Sequence, residues 1–143
     1  MKELKLFLKP HIRKFVLNHH PGKEPLIIDE RSMLGSIIMN CTNDKRKFKF
    51  DKAINNYTTD IRVVPTTEIL KRSPRQYQLV KVNIELERWF REAVLVWVRA
   101  QVAAGVPASA SCKTFMAYYK LDENDISFEG IHKMWIRSLK RSL

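Results

Sequence analysis

Residues 74–107 read PRQYQLVKVNIELERWFREAVLVWVRAQVAAGVP, and on this stretch the fold turns. Leu79, Val82, Leu86, Trp89, Phe90, Ala93, Trp97, Ala100 and Ala104 recur at steps of three and four, the period of a helix with one apolar side. Ser73-Pro74 supplies a cap and first-turn signal, and Gly105-Val106-Pro107 stops the run. The spacing predicts one long helix from Pro74 to Ala104, the spine of the chain. Val80, Val82 and Ile84 also alternate, so a strand over 76–84 is the competing reading.

Upstream, the pattern is mixed. Leu4, Leu6 and Leu8 alternate with Lys5, Phe7 and Lys9, as in a strand with one buried face. Pro10 suits a first helical turn and opens a helix carrying Ile12, Phe15 and Val16, which His19-His20-Pro21-Gly22 closes. Pro25 to Asp29 suits a second strand, and Ser32 is placed to cap a helix with Leu34, Ile37, Ile38 and Cys41 on its apolar side. Residues 43–51, where Phe48 and Phe50 alternate with Lys47 and Lys49, and the β-branched stretch from Thr58 to Val64 predict a hairpin turning at Asn55-Asn56. Pro65 ends it, and Thr66 or Thr67 is placed to cap a short helix with Ile69 and Leu70.

Downstream, Ser109 or Ser111 is placed to cap a helix with Cys112, Phe115, Met116 and Tyr119 on one side. Asp122-Glu-Asn-Asp125 breaks the period, and Ser127 caps a last helix with Phe128, Ile131, Trp135 and Leu139 inward. Lys133, Arg137, Lys140 and Arg141 fall at i, i+4, i+7 and i+8 of that helix. A basic stripe opposite an apolar one lets a helix pack on a core and still present cations to phosphates. Cations near a helix C-terminus also offset its dipole, which is the bland reading of the same residues.

The chain has 143 residues, 45% of them apolar, enough for one sizeable core. Lys and Arg number 26 against 15 Asp and Glu, so the formal charge is +11 and the pI near 9.9, which makes a polyanion the first partner to consider. The excess is patterned: residues 1–50 carry +6, 51–82 +3, 83–126 −1 and 127–143 +3. Lys45, Arg46, Lys47, Lys49 and Lys52 form a second basic cluster with Phe48 and Phe50 interleaved, a pattern that tracks a phosphate backbone. The alternative is a strand with phenylalanines inward and lysines in solvent.

Several chemistries lack a motif. Cys41 and Cys112 belong to no Cys-x-x-Cys pair, so reduced, packed thiols are expected. His11, His19, His20 and His132 show no metal-binding helix spacing, and Asp122-Asn124-Asp125 lacks the glycine of a calcium loop. No phosphate-binding glycine loop and no nucleophile elbow occur, so neither a cofactor nor an enzymatic role is expected. Glu85, Glu87 and Glu92 read as partners of Arg88, Arg91 and Arg99 along the long helix rather than as an acidic catalytic cluster. The apolar run from Ala93 to Ala104 is too short for a bilayer, and Met1 to Pro10 has charges within its apolar run, so a cytoplasmic protein is expected.

The segment from Phe115 to Leu121, the polar turn and Ser127 to Arg137 resemble a helix-turn-helix of the kind found in phage and mobile-element regulators. The likeness covers roughly the last 35 residues. It departs from the pattern at Lys120, where glycine is usual, at Met116, where a small residue is usual, and in a turn longer by about two residues. A fainter likeness, to phage transcription activators of the Mor type, rests on Tyr118-Tyr119 and the last helix. The first likeness implies that Ser127, Glu129, Gly130 and Lys133 face base edges, that Arg137, Lys140 and Arg141 reach the backbone, and that Lys113 and Tyr118 assist.

The resulting expectation is an α+β protein. It has a small α/β subdomain over 1–65 (strand, helix, strand, helix, hairpin) and a helical subdomain over 66–143 ending in a helix-turn-helix-like pair, joined as one compact unit. It is expected to bind double-stranded DNA as a homodimer paired through the long helix, in a regulatory or architectural role in a bacterial, phage or mobile-element system. Its DNA-binding residues are Lys133, Arg137, Lys140, Arg141, Ser127, Lys113, Lys45, Arg46, Lys47 and Lys49. The alternative is a non-enzymatic phage assembly or protein-interaction factor whose basic surface meets an acidic protein. RNA binding ranks below both because no RNA-recognition motif is present.

Overall fold

A computed structural model describes residues 3–44, 46, 59–65 and 73–141. Its elements are β1 (Leu4–Leu8), α1 (Pro10–His19), β2 (Leu26–Ile28), α2 (Met33–Asn43), β3 (Thr59–Pro65), α3 (Gln76–Ala103), α4 (Ala108–Tyr118) and α5 (Phe128–Arg141). The fold is α+β, with its strands in the N-terminal part and helices throughout. Contacts gather into two units, Met1–Glu87 and Arg88–Leu143, and α3 contributes to each.

In the first unit β3 is the middle strand of three. It runs antiparallel to β1, with Leu6 opposite Ile61, and parallel to β2, with Leu26 opposite Val63. Alternation places Leu6, Leu8, Leu26, Ile28, Ile61 and Val63 inward, and α1 and α2 add Ile12, Phe15, Val16, Leu34 and Ile38 to the same buried set. β3 thus pairs with β1 and β2. Of the first hairpin strand expected over 43–51, Asn43 instead ends α2 and residues 45 and 47–51 lie outside the described residues, as does the short helix expected around Ile69 and Leu70. Glu24 ties the layers together: its carboxylate accepts from Arg13 at 2.7 Å and from the Arg62 N–H at 3.2 Å, while Arg13 Nε donates to the Asp60 carbonyl at 2.9 Å.

α2 begins as its sequence predicts, with Ser32 Oγ accepting from the Gly35 N–H at 2.9 Å. α3 begins differently. The helix opens at Gln76, two residues beyond Pro74 rather than at it. The Gln78 side chain accepts from the Arg75 N–H at 2.9 Å and donates to the Thr42 and Asp44 carbonyls at 2.9 and 3.2 Å. One buried amide therefore closes the start of α3 and the end of α2, whose terminal backbone groups lack helical partners. Residues 76–84 are helical, which settles the strand alternative.

The buried row of α3 is Val82, Leu86, Phe90, Val94 and Val98. Ala100 and Ala104, expected inward, are exposed, and Trp89 and Trp97 are half-buried. Steps of four alone make this row, whereas the expected mixture of threes and fours favoured the larger tryptophans on its flank. In the second unit Phe115, Met116, Ile131 and Trp135 are buried along with Phe90, Val94 and Val98 of the row.

α4 starts after Pro107 with no side-chain cap, so neither Ser109 nor Ser111 caps it, and Ser111 lies buried inside the helix. Pro107 fixes the entry angle instead and starts the helix before either serine. α3 and α4 end in the same device. After α3, the Val106 N–H donates to the Gln101 carbonyl (2.9 Å) and the Gly105 N–H to the Val102 carbonyl (3.0 Å), with Gly105 at φ +92°. After α4, the Leu121 N–H donates to the Met116 carbonyl (2.8 Å) and the Lys120 N–H to the Ala117 carbonyl (3.2 Å), with Lys120 at φ 57°. Both are six-to-one, five-to-two closures that need a left-handed residue, glycine in one case and lysine in the other. Lys120→Gly is accordingly expected to raise stability by about 0.5–1 kcal/mol, read as a Tm increase of a few degrees in a thermal melt, and an unchanged or lower Tm would contradict the assignment.

Candidate nucleic-acid interface

α5 is built to show one side to the core and the other to water. Ser127 Oγ accepts from the Gly130 N–H at 2.9 Å, and Glu123 accepts from the Phe128 N–H at 3.0 Å, so the first turn is closed from two sides. The preceding turn is self-satisfied: Asp122 accepts from the Asn124 and Asp125 N–H groups, and Asp125 accepts from the Asp122 N–H at 3.0 Å. Ile131 and Trp135 are buried. Leu139, expected inward, is 48% exposed, because α5 runs past its last buried side chain, Trp135.

Lys133, Arg137, Lys140 and Arg141 are all exposed. At 100° per residue, Lys133, Arg137 and Lys140 project opposite Ile131 and Trp135, so charge and apolar surface are segregated. Glu129 lies within the stripe, 3.7 Å from Lys133, and carries its only carboxylate. Lys113 of α4 sits 5.5 Å from the centroid of the Phe128 ring, whose other neighbour is His132, stacked at 5.7 Å. That contact brings a fifth cation to the first turn of α5. Glu129, the one anion placed to weaken the surface, has a signal in sequence as the i−4 neighbour of Lys133.

The second predicted cluster is different. Lys45, Lys47 and Lys49 lie outside the described residues. Arg46 belongs to the first unit, exposed, with Nε 3.1 Å from the Asp44 carboxylate. Hydrogen bonds from Arg46 and then Lys81 hold that carboxyl well below the usual carboxylate range. Arg46 is therefore half of an ion pair, whereas Arg137, Lys140 and Arg141 have no carboxylate within 4 Å among the described residues.

A cavity of about 470 Å³ in the first unit is lined by Ile37, Cys41, Asp44, Lys81 and Glu85. Its polar groups are turned on one another, Lys81 Nζ lying 2.9 Å from Asp44 and 2.6 Å from the Arg46 carbonyl. Burial, followed by the charge of Glu85, pushes the Cys41 thiol up to about 11, so it stays protonated at neutral pH and is a poor nucleophile. Among the described residues no three His, Cys, Asp or Glu side chains gather as metal ligands, and no helix is long and apolar enough to cross a membrane. Compared with protein-family models, with curated proteins and with solved structures, the chain matches none.

Proposed function

We propose that this protein binds double-stranded DNA through α5, as a binding protein rather than an enzyme, in the cytoplasm of a bacterial cell or phage-infected host. The observation that carries the reading is the exposed stripe of Lys133, Arg137 and Lys140 on the side of α5 opposite Ile131 and Trp135. Ser127, Glu129, Gly130 and Lys133 form the first turns and face base edges, while Arg137, Lys140 and Arg141 contact phosphates and Lys113 adds charge from α4. Phosphate contacts release counterions, so affinity falls steeply as salt rises.

Fluorescence anisotropy with a labelled duplex at several salt concentrations tests this. Lys133→Ala/Arg137→Ala/Lys140→Ala is expected to weaken binding and to lower the slope of log affinity against log salt by about 2, roughly one for each lost phosphate contact of Arg137 and Lys140. Glu129→Gln, which removes the carboxylate, is expected to tighten binding. All three substituted cations are exposed, so circular dichroism is expected to show the native helix content. Absence of duplex binding at low salt, or a triple variant with an unchanged slope, overturns the reading.

A further inference from the structure

The part of α3 that belongs to the second unit buries Phe90, Val94 and Val98 and turns the opposite side outward. That outward side carries Glu92, Val96, Arg99 and Ala103, all exposed, with Leu95 half-buried at its flank. Val96 is 62% exposed. Glu92 and Arg99 are seven residues apart, about 10.5 Å along the axis, too far for the three- and four-residue pairing that a single helix allows. Among the described residues neither has an ion-pair partner.

The order of these residues is self-complementary. A two-fold axis crossing the helix between Leu95 and Val96 sets two copies antiparallel, with Glu92 of each opposite Arg99 of the other and Leu95 opposite Val96. The same register sets Ala103 against Arg88, small against long. We propose that this side of α3 pairs with the same side of a second copy of this chain. Two copies carrying +11 each repel, but residues 83–126 sum to −1, so they meet where the basic excess is absent. The partner is a second copy because one surface supplies both halves of each ion pair.

Sedimentation equilibrium without nucleic acid tests the pairing apart from any DNA binding. The wild type is expected to dimerise reversibly with a Kd on the order of 10 µM, as suits a small interface. Glu92→Arg and Arg99→Glu singly place like charges opposite each other twice per dimer and are expected to raise Kd about tenfold or more. Glu92→Arg/Arg99→Glu exchanges the charges and is expected to restore Kd to within about threefold of the wild type. Circular dichroism checks that each variant keeps its helix content. A wild type monomeric up to about 200 µM overturns the proposal and leaves the face to a different partner. Single reversals without effect, or a double exchange that fails to restore association, overturn it as well.

Discussion

Gly35→Ala is expected to destabilise the protein by about 3 kcal/mol or more, lowering Tm by roughly 10 °C, although alanine normally favours a helix over glycine by about 1 kcal/mol. A methyl group built on Gly35 falls 1.8 Å from the Asp29 carbonyl oxygen and 2.8 Å from its carbon, so backbone and not a flexible side chain must move. That backbone is held in place. The Asp29 carbonyl accepts from the Ser32 hydroxyl at 2.9 Å, and the Asp29 carboxylate accepts from the Arg31 and Ser32 N–H groups at 3.0 and 3.2 Å. Relieving the clash breaks these bonds and the cap from Ser32 to the Gly35 N–H. Urea unfolding followed by circular dichroism reads the loss, and a variant within about 1 kcal/mol of the wild type would show that the approach of α2 to Asp29 is looser than described.

Phe115→Ala is the second large effect, expected at about 3–5 kcal/mol. Phe115 is fully buried, and its ring centroid lies 4.8 Å from Tyr119, 5.6 Å from Phe90 and 5.7 Å from Trp97. Alanine leaves a hole among rings, which are too rigid to collapse into it, so the lost contacts add to the lost transfer energy. Trp89, Trp97 and Trp135 all belong to the same unit as Phe115, so the urea midpoint followed by tryptophan fluorescence reports the change. Phe115→Leu, which keeps much of the volume, is expected to recover more than half of the loss. Equal effects from both substitutions would argue against a volume-dependent cause.

Local signals carried most of the elements. Leu6 and Leu8 alternate into the core, Pro10 opens α1, Ser32 caps α2 and Ser127 caps α5, because each depends on residues a few positions apart. Partnership between strands is nonlocal. Nothing in Thr59–Pro65 announces that it lies between β1 and β2, since β-branched residues suit any buried strand. Gln78 stands four residues before Val82 in the buried row, and a polar residue at such a position signals a buried polar contact without naming the Thr42 and Asp44 carbonyls. The α5 stripe was readable from spacing alone because helical period fixes which side each cation takes. Leu139 was misplaced because period tells the side of a helix and not where its cover ends.

The left-handed Lys120 sets a strained backbone against an electrostatic return. It carries a positive charge one residue beyond the C-cap Tyr119, at the negative end of the α4 dipole. Backbone strain is indifferent to ionic strength, whereas dipole attraction at an exposed helix end is screened by salt. The benefit of glycine at this position therefore grows as salt is added, and comparison of wild type and variant in dilute and concentrated salt separates the conformational cost of lysine from its charge.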